Sequence, residues 1–363
     1  MRTRVFLVAS LAAGLALAGC GGAADPAEQA ASSAAGPVGL RYADVAPQYA
    51  AATTAALERG RAVVDQLVAG DVAAVYEQSS PKAKAEASLE QVTQAFAELQ
   101  AKAPIGRRLE ERAMLLGRDR TGYVAEHAWG GDRVRFQIGF DPTGLMPDAG
   151  PVRPLPADPR ADRPAQARVR LPFEGLWWAG NAPNTELGNH HPASPAQRHA
   201  FDFVVWRDGA TYRGDGRANA DYWAWKQPVV SPAAGTVVST QDGVADNRPG
   251  VTTDPTAPAG NHLVIDLGNG EYAVLAHFLK GSLRVAKGDR VEAGQVLGLT
   301  GSSGNSSEPH LHFHVQDRPD VVPTATGIPV RFEQYVADGV RHDRGTPSAG
   351  QFVSTAGRPG EGG

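Results

Sequence analysis

The sequence predicts two folded parts, a small α+β domain followed by an all-β domain. Helical spacing of apolar residues is confined to the first part, short apolar runs bounded by turn residues fill the second, and a proline-rich segment separates them. A chain of 363 residues is long enough for two ordinary domains with connectors. The formal net charge of −4 does not suggest a nucleic-acid partner, so we expect none.

Residues 1–19 have the form of a secretion signal. Two arginines precede an apolar stretch from Val5 to Leu17, which is too short for a comfortable membrane span, and small residues follow. The letters "LAGC" that end at Cys20 resemble the lipobox of bacterial lipoproteins. This resemblance implies cleavage before Cys20 and lipidation of its thiol and new amino group. The alternative is a plain signal peptide with an accidental cysteine.

Lipidation of Cys20 would determine where the protein resides. Several acyl chains anchor a protein stably to a membrane, and Gly21 in place of Asp resembles the pattern of Gram-negative lipoproteins sent to the outer membrane. We therefore expect a secreted bacterial lipoprotein of the cell envelope, on the inner leaflet of the outer membrane and facing the periplasm if the cell is Gram-negative. Residues 20–42, rich in Ala, Gly, Ser and Pro, predict a flexible tether.

Residues 43–145 predict a small α+β domain of unknown function. Helical spacing runs through the first half of this region, and Ser88 with Gln91 has the form of a capping box at a helix start. Residues 134–140 then alternate apolar and polar as a strand does, and "GGD" at 130–132 predicts the hairpin turn before them. His127 stands alone among these residues, so we assign it a structural role.

The segment 146–170 predicts a semi-rigid linker, because its six prolines fix φ and remove backbone donors. Residues 171–338 read as short strands separated by turn residues, which favours a sandwich or barrel-like β fold. Glycines between 288 and 301 divide this region as in a barrel-sandwich core. Residues 339–363, rich in Gly, Pro and Ser, predict a disordered tail.

Three histidines share one face of a predicted strand near the C-terminus. In "PHLHFHV", His310, His312 and His314 occupy alternate positions, so a strand turns them to the same side. Histidine is scarce in this chain, with 10 in 363 residues, so three on one face need a reason. The alternation by itself fits either a metal site or a solvated sheet face.

An aspartate in an earlier apolar run is a second candidate metal ligand. Asp202 lies in "AFDFVV", where a carboxylate is costly unless it is paired or bound to a metal. His199 precedes it by three residues, which places the two on opposite faces of a regular strand. His190 and His191 precede it on a loop that can fold back toward Asp202. His277, at the end of another apolar strand, is a further candidate.

Together these motifs resemble the lysostaphin-like (LytM-type) zinc metallopeptidases, which cleave peptide bonds in bacterial peptidoglycan. The resemblance rests on "QRHAFDF", "SPAAGTVV", "GNHLVIDLGNGEYAVLAHF" and "VAKGDRVEAGQVLGLTGSSGNSSEPHLHFHV". It implies a β core with a duplicated hybrid motif for residues 171–338. The preceding α+β domain looks like the small domain that often comes before cell-wall peptidases in secreted bacterial proteins.

The resemblance also implies a Zn²⁺ cofactor and its ligands. The family binds zinc through a histidine, an aspartate and the second histidine of an H-x-H pair, and the last two correspond here to Asp202 and His312. The usual first ligand lies four residues before the aspartate, where this chain has Arg198. An "N-x-H" element further upstream points to His191 as the first ligand, with His190 in reserve.

Two further histidines correspond to the catalytic groups of the family. His310 is the first histidine of the H-x-H pair, and His277 ends a strand of the "Y…H" form. His314 occupies a position where many relatives have Glu. The sequence leaves two roles open for it, a support behind the metal ligands or a solvated strand residue.

The resemblance therefore predicts a zinc-dependent endopeptidase that hydrolyses peptidoglycan during cell-wall remodelling. A catalytically silent relative that binds and regulates another cell-wall hydrolase is one alternative, and a peptidase of secreted proteins is another. The expected partners are peptidoglycan and, through the lipid anchor, the membrane. The N-terminal domain is a candidate binding site for a regulatory protein.

Overall fold

We describe a computed structural model of the chain. It describes residues 39–116, 120–147, 150–152, 160, 162–183, 191, 194–321 and 323–356. The predicted signal peptide, Cys20 and most of the predicted tether lie outside these residues, and so does His190. Within the described part, no helix is both long enough and apolar enough to span a membrane.

The first domain packs helices on one side of an antiparallel sheet, so the prediction of a small α+β domain is confirmed. Its helices are α1 (Tyr42–Val68), α2 (Val72–Glu77), α3 (Pro81–Glu86) and α4 (Leu89–Lys102). Its strands are β1 (Ile105–Leu115), β2 (Thr121–Trp129), β3 (Asp132–Asp141), β4 (Gly144–Leu145) and β5 (Gly150–Val152). They form one five-stranded sheet.

Local sequence signals start the elements where they were predicted. The hydroxyl of Ser88 accepts from the Gln91 amide at 3.3 Å, and the Gln91 side chain accepts from the Ser88 amide at 2.8 Å, which caps α4. Gly130 and Gly131 both have positive φ, 55° and 88°, as a two-residue hairpin turn between β2 and β3 requires.

Close contact between α1 and the sheet positions the core of the first domain. A Cβ added at Gly60 in α1 would lie 2.1 Å from the Tyr123 ring, so the helix approaches the sheet as only glycine allows. Val63, Val64 and Phe136 are buried in the same cluster. His127 is buried with them, and its Nδ1 lies 2.9 Å from the Gly106 carbonyl oxygen.

The second domain is all-β, which confirms the predicted fold class. Its strands are β6 (Trp177–Asn181), β7 (Phe201–Val204), β8 (Pro228–Val230), β9 (Gly235–Gln241), β10 (Asn261–Asp266), β11 (Tyr272–Phe278), β12 (Arg290–Val291), β13 (Val296–Leu299), β14 (Leu311–Gln316), β15 (Gly327–Ile328), β16 (Phe332–Ala337), β17 (Val340–Gly345) and β18 (Phe352–Thr355). Eleven of them form one sheet in the order β12-β9-β10-β11-β14-β7-β6-β18-β16-β17, with β15 paired to β14. Strands β8 and β13 pair separately.

The prediction of a disordered tail from residue 339 is wrong for residues 339–356. Strand β17 pairs with β16, and β18 joins β16 to β6 inside the large sheet. Gly339, Pro347, Ser348 and Gly350 lie in the connections between these short strands, and Phe352 and Val353 are buried. Residues 357–363 lie outside the described part of the chain.

The predicted linker 146–170 is too long at both ends. Strand β5 pairs with β3 and so belongs to the first domain. At the other end Ala165 and Val169 are buried in the core of the second domain. The backbone amides of Gln166 and Ala167 donate to the Glu271 carboxylate at 2.8 and 2.9 Å. The proline content therefore predicted the connection between the two domains but not its first and last residues.

The two domains pack against each other through an apolar cluster. Val45 of α1 and Leu115 of β1 lie in it with Trp178 and Phe352 of the second domain. The Tyr49 ring meets the Phe352 ring edge-on, with centroids 5.2 Å apart. The region predicted as tether ends in ordered structure, since Leu40 packs on the same cluster.

Candidate metal centre

The site forms on β14 and the strands beside it. Asp202 in β7 and His312 in β14 are direct cross-strand partners, so their side chains share a face of the sheet. His312 Nδ1 lies 2.9 Å from Asp202 Oδ1. The other face of β14 carries Leu311, Phe313 and Val315 into the hydrophobic core, which fixes the orientation of the strand.

His191 completes a group of three ligand atoms. Its Nε2 lies 3.4 Å from Asp202 Oδ2, and its ring centroid lies 5.0 Å from that of His312. One ligand atom from each of these three residues lies within 4.8 Å of the other two. Two ligand atoms of a tetrahedral zinc lie about 3.3 Å apart, since each is about 2.0–2.1 Å from the metal. The donor set and its spacing therefore fit Zn²⁺.

Of the other upstream histidines, His199 does not enter this group. His199 is buried, and the three-residue metal group of the described chain does not contain it. His190 lies outside the described residues. One residue that sequence reasoning missed is Asn181, whose Nδ2 donates to Asp202 Oδ2 at 2.8 Å. It reaches Asp202 through an irregular register between β6 and β7, which no sequence pattern indicates.

His310 and His277 lie beside the three ligand atoms. His310 Nε2 lies 3.5 Å from Asp202 Oδ1, and the ring centroids of His277 and His310 are 4.5 Å apart. Because Ala276 is the cross-strand partner of His312, a regular strand would turn His277 to the opposite face. His277 has φ of 66°, an uncommon value for a non-glycine residue that breaks the alternation and brings its ring 5.7 Å from that of His312.

Backbone carbonyls fix the ring nitrogens of both histidines. The Nδ1–H of His277 donates to the Ser303 oxygen at 2.8 Å, and that of His310 to the Glu308 oxygen at 2.8 Å. A carbonyl oxygen only accepts, so each Nδ1 must carry a proton. The Nε2 atoms then remain for the site. The segment just before His310 contains both residues that supply these carbonyls, Ser303 and Glu308.

Burial and charge move the pKa values of the two histidines apart. Burial, with the neighbouring charges of His310 and His312, holds the pKa of His277 well below the usual imidazole range. Burial also acts to lower the pKa of His310, but the charge of Asp202 and a hydrogen bond to it outweigh this effect and raise that pKa. Burial opposes ionisation of Asp202 too, yet its histidine neighbours hold its pKa well below normal.

The two open interpretations of His314 are resolved by its burial. Its side chain is buried, as are those of His310 and His312, so neither a solvated residue nor a solvated sheet face describes this row. His314 Nδ1 lies 2.9 Å from His312 Nε2, and its Nε2 lies 3.0 Å from Gln316 Oε1. His314 and Gln316 therefore continue the row of polar contacts on the side of His312 that faces away from Asp202.

Part of the chain matches a known family. Residues 221–323 match the family described as Peptidase family M23. This range contains His277, His310 and His312, whereas His191 and Asp202 precede it. The predicted resemblance to LytM-type peptidases is thus confirmed for these residues.

A curated relative and several solved structures are also similar. Peptidoglycan DD-endopeptidase ShyA of Vibrio cholerae serotype O1 (strain ATCC 39315 / El Tor Inaba N16961) is 33% identical over 114 residues, which cover 29% of this chain and 25% of that protein. The chain thus aligns with about a quarter of the length of this relative.

Two solved structures illustrate the extent of the structural likeness. A mutant catalytic domain of the prophage-encoded M23 protein EnpA from Enterococcus faecalis is 17% identical, with a TM-score of 0.30, and covers 44% of this chain and 94% of that one. The catalytic domain of lysostaphin from Staphylococcus simulans is 19% identical, with a TM-score of 0.25, and covers 46% and 90%.

Proposed function

Because residues 221–323 carry a Peptidase family M23 segment, we propose that the chain is a zinc-dependent endopeptidase of bacterial peptidoglycan. One observation carries the proposal. Ligand atoms of His191, Asp202 and His312 converge within 4.8 Å, with two more imidazoles beside them. Two neutral imidazoles and a carboxylate leave one tetrahedral position open, as catalytic zinc sites do.

A zinc ion held there would supply Lewis acidity and lower the pKa of a bound water toward neutrality. The chain's own residues manage the protons. His277 has a lowered pKa and its Nδ1–H bonded to a carbonyl, so its Nε2 is suited to accept a proton. His310 has a raised pKa and is suited to donate one to the leaving amine from its Nε2.

Glu308 orients the ring of His310, the residue proposed to donate a proton. Burial raises the pKa of its carboxyl group, and its Oε2 accepts from the Thr211 hydroxyl at 2.8 Å. Its backbone carbonyl holds the His310 ring. Catalytic hydrogen bonds from His310 therefore start from a ring whose orientation is already fixed.

The substrate and location form the finer part of the proposal. The similarity to a peptidoglycan DD-endopeptidase favours peptide cross-links of peptidoglycan as the substrate. The lipobox-like "LAGC" favours attachment through Cys20, which would keep the enzyme beside the cell wall, at the outer membrane in a Gram-negative cell. A regulatory protein that binds the first domain is proposed from its position alone.

Hydrolysis of purified peptidoglycan tests the proposal. Zinc-loaded protein should release peptide fragments, identified by mass spectrometry, and a chelator should stop the release. His312→Ala should be inactive, whereas His342→Ala should be active, because His342 lies in β17 and stacks on Tyr335 away from the site. Tight binding to peptidoglycan or to a hydrolase without release would support the silent relative instead. Cleavage of secreted proteins alone would support the other alternative.

A further inference from the structure

We propose that Gln316 is a positioning residue that orients the zinc ligand His312 through the ring of His314. The inference rests on the proposed zinc site and adds two residues to it. His312, His314 and Gln316 lie on the same face of β14, and all three side chains are buried. Their polar atoms form an unbroken row with separations of 2.9 and 3.0 Å.

The amide of Gln316 can point only one way. Its Nε2 donates to the carbonyl oxygens of Arg318 at 2.9 Å and of Asp320 at 2.8 Å. Both carbonyls only accept, so an oxygen in that place would face two other oxygens at hydrogen-bond distance. The Gln316 Oε1 is thereby directed at His314 Nε2.

The direction of this amide determines where the proton of His314 sits. Oε1 only accepts, so His314 Nε2 must carry a hydrogen. The 2.9 Å contact between His312 Nε2 and His314 Nδ1 holds a single hydrogen, which stays on Nε2 when His312 binds a metal through Nδ1, and this leaves none for His314. Its Nδ1 is therefore bare and accepts from His312 Nε2–H.

The same row of hydrogen bonds favours the tautomer of His312 that can bind a metal through Nδ1. With Nε2–H committed to His314, Nδ1 is the ring nitrogen left for the metal. It faces Asp202 Oδ1 at 2.9 Å, and zinc would displace the proton that Nδ1 otherwise donates to this carboxylate. The reverse direction would place the hydrogen of neutral His312 on Nδ1 and block the ligand atom. Partners of this kind behind a metal ligand typically change metal affinity 10–100-fold.

Two measurements on the full chain test the proposal. The first is the ring ¹⁵N spectrum of His314 at pH 7 in zinc-free and zinc-loaded wild-type protein, assigned with His314→Gln. We expect the Nε2–H form in both. The second is zinc affinity by competition with a chromophoric chelator. Gln316→Met should bind zinc on the order of 10–100-fold more weakly.

Gln227→Met is the matched control, because Gln227 is a buried glutamine of the same domain outside the row. Its zinc affinity should equal that of the wild type. An Nδ1–H form of His314 would overturn the proposal, and so would unchanged zinc affinity in a folded Gln316→Met. If that variant does not fold, the wild-type spectrum decides. Failure of the proposed function itself is distinct, since wild-type protein would then bind no zinc or bind zinc without hydrolysis.

Discussion

The buried histidines in the sheets of the two domains have different surroundings. In the first, His127 is surrounded by apolar side chains such as Phe136, with its Nδ1 on a carbonyl oxygen. In the second, His312 has polar neighbours at both ring nitrogens, Asp202 and His314. His127 keeps one buried ring nitrogen, Nε2, without a hydrogen-bond partner. A row of imidazoles beside a carboxylate instead costs desolvation that a metal can repay. Among the described residues, only the second sheet holds such a group.

The largest effect on zinc binding and hydrolysis should come from replacing His312, the histidine of the second sheet in this comparison. His312→Ala should lose zinc and all hydrolysis, because two protein ligands hold zinc poorly. His127→Ala should keep zinc at the wild-type level, although the first domain becomes less stable. Metal content after dialysis and fragment release from peptidoglycan measure both. Equal zinc in the two variants would remove the distinction between the two histidines.

His310→Ala should separate proton transfer from metal binding. His310 lies beside the ligand group without belonging to it, so zinc should stay bound. Loss of a positioned acid should lower kcat on the order of 10²–10⁴-fold. Comparing zinc content with turnover checks this, and a variant that loses zinc as readily as His312→Ala would show that His310 is a ligand.

Phe352→Ala should show how far the domains depend on each other. The ring is fully buried between them and belongs to the region predicted to be disordered. Its removal should lower the free energy of unfolding by about 3–5 kcal/mol. Val340→Ala, at a side chain that is 60% exposed, is the control and should change little. Urea unfolding measures both, and equal stability would contradict the order assigned to residues 339–356.

Acid should destabilise the second domain through neutral buried imidazoles. The pKa of His314 is lowered from 6.5 to about 3 by burial and by the charge of His312. Below pH 6.5 the unfolded chain gains a proton that the folded chain does not, so this contribution is complete above pH 6.5 and is lost as pH falls toward 3.

For zinc-free protein, His314 should add roughly 1 kcal/mol per pH unit to the fall in unfolding free energy between about pH 5.5 and 4.5. Urea titrations of wild type and His314→Gln measure this difference in slope. Parallel slopes would mean that His314 accepts protons in the folded state as easily as in the unfolded one.

Local sequence patterns predicted individual helices, strands and turns better than they predicted where the ordered part of the chain ends. The capping box at Ser88 and the glycine turn at 130–131 act within a few residues, so sequence alone located them. Residues 339–356 are ordered because they pair with β16 and β6. Strand β6 is distant in the sequence, and the composition of these residues does not reveal either pairing. Turn-rich composition is shared by short paired strands and by disordered tails, which explains that error.

The site divides in the same way. Alternation placed His310, His312 and His314 on one face, and the cost of a lone carboxylate singled out Asp202. Asn181 and the Gln316 amide act across irregular register or through carbonyl geometry, so no spacing rule reveals them. The positive φ of His277 is likewise a tertiary feature, because nothing in "LAHF" requires it.

Metal analysis of the folded wild-type chain tests the central claim most directly. Protein purified, exposed to excess zinc and then dialysed should hold one zinc per chain, and Asp202→Ala treated identically should hold none. Well-folded wild-type protein that stays metal-free after this treatment would contradict the account.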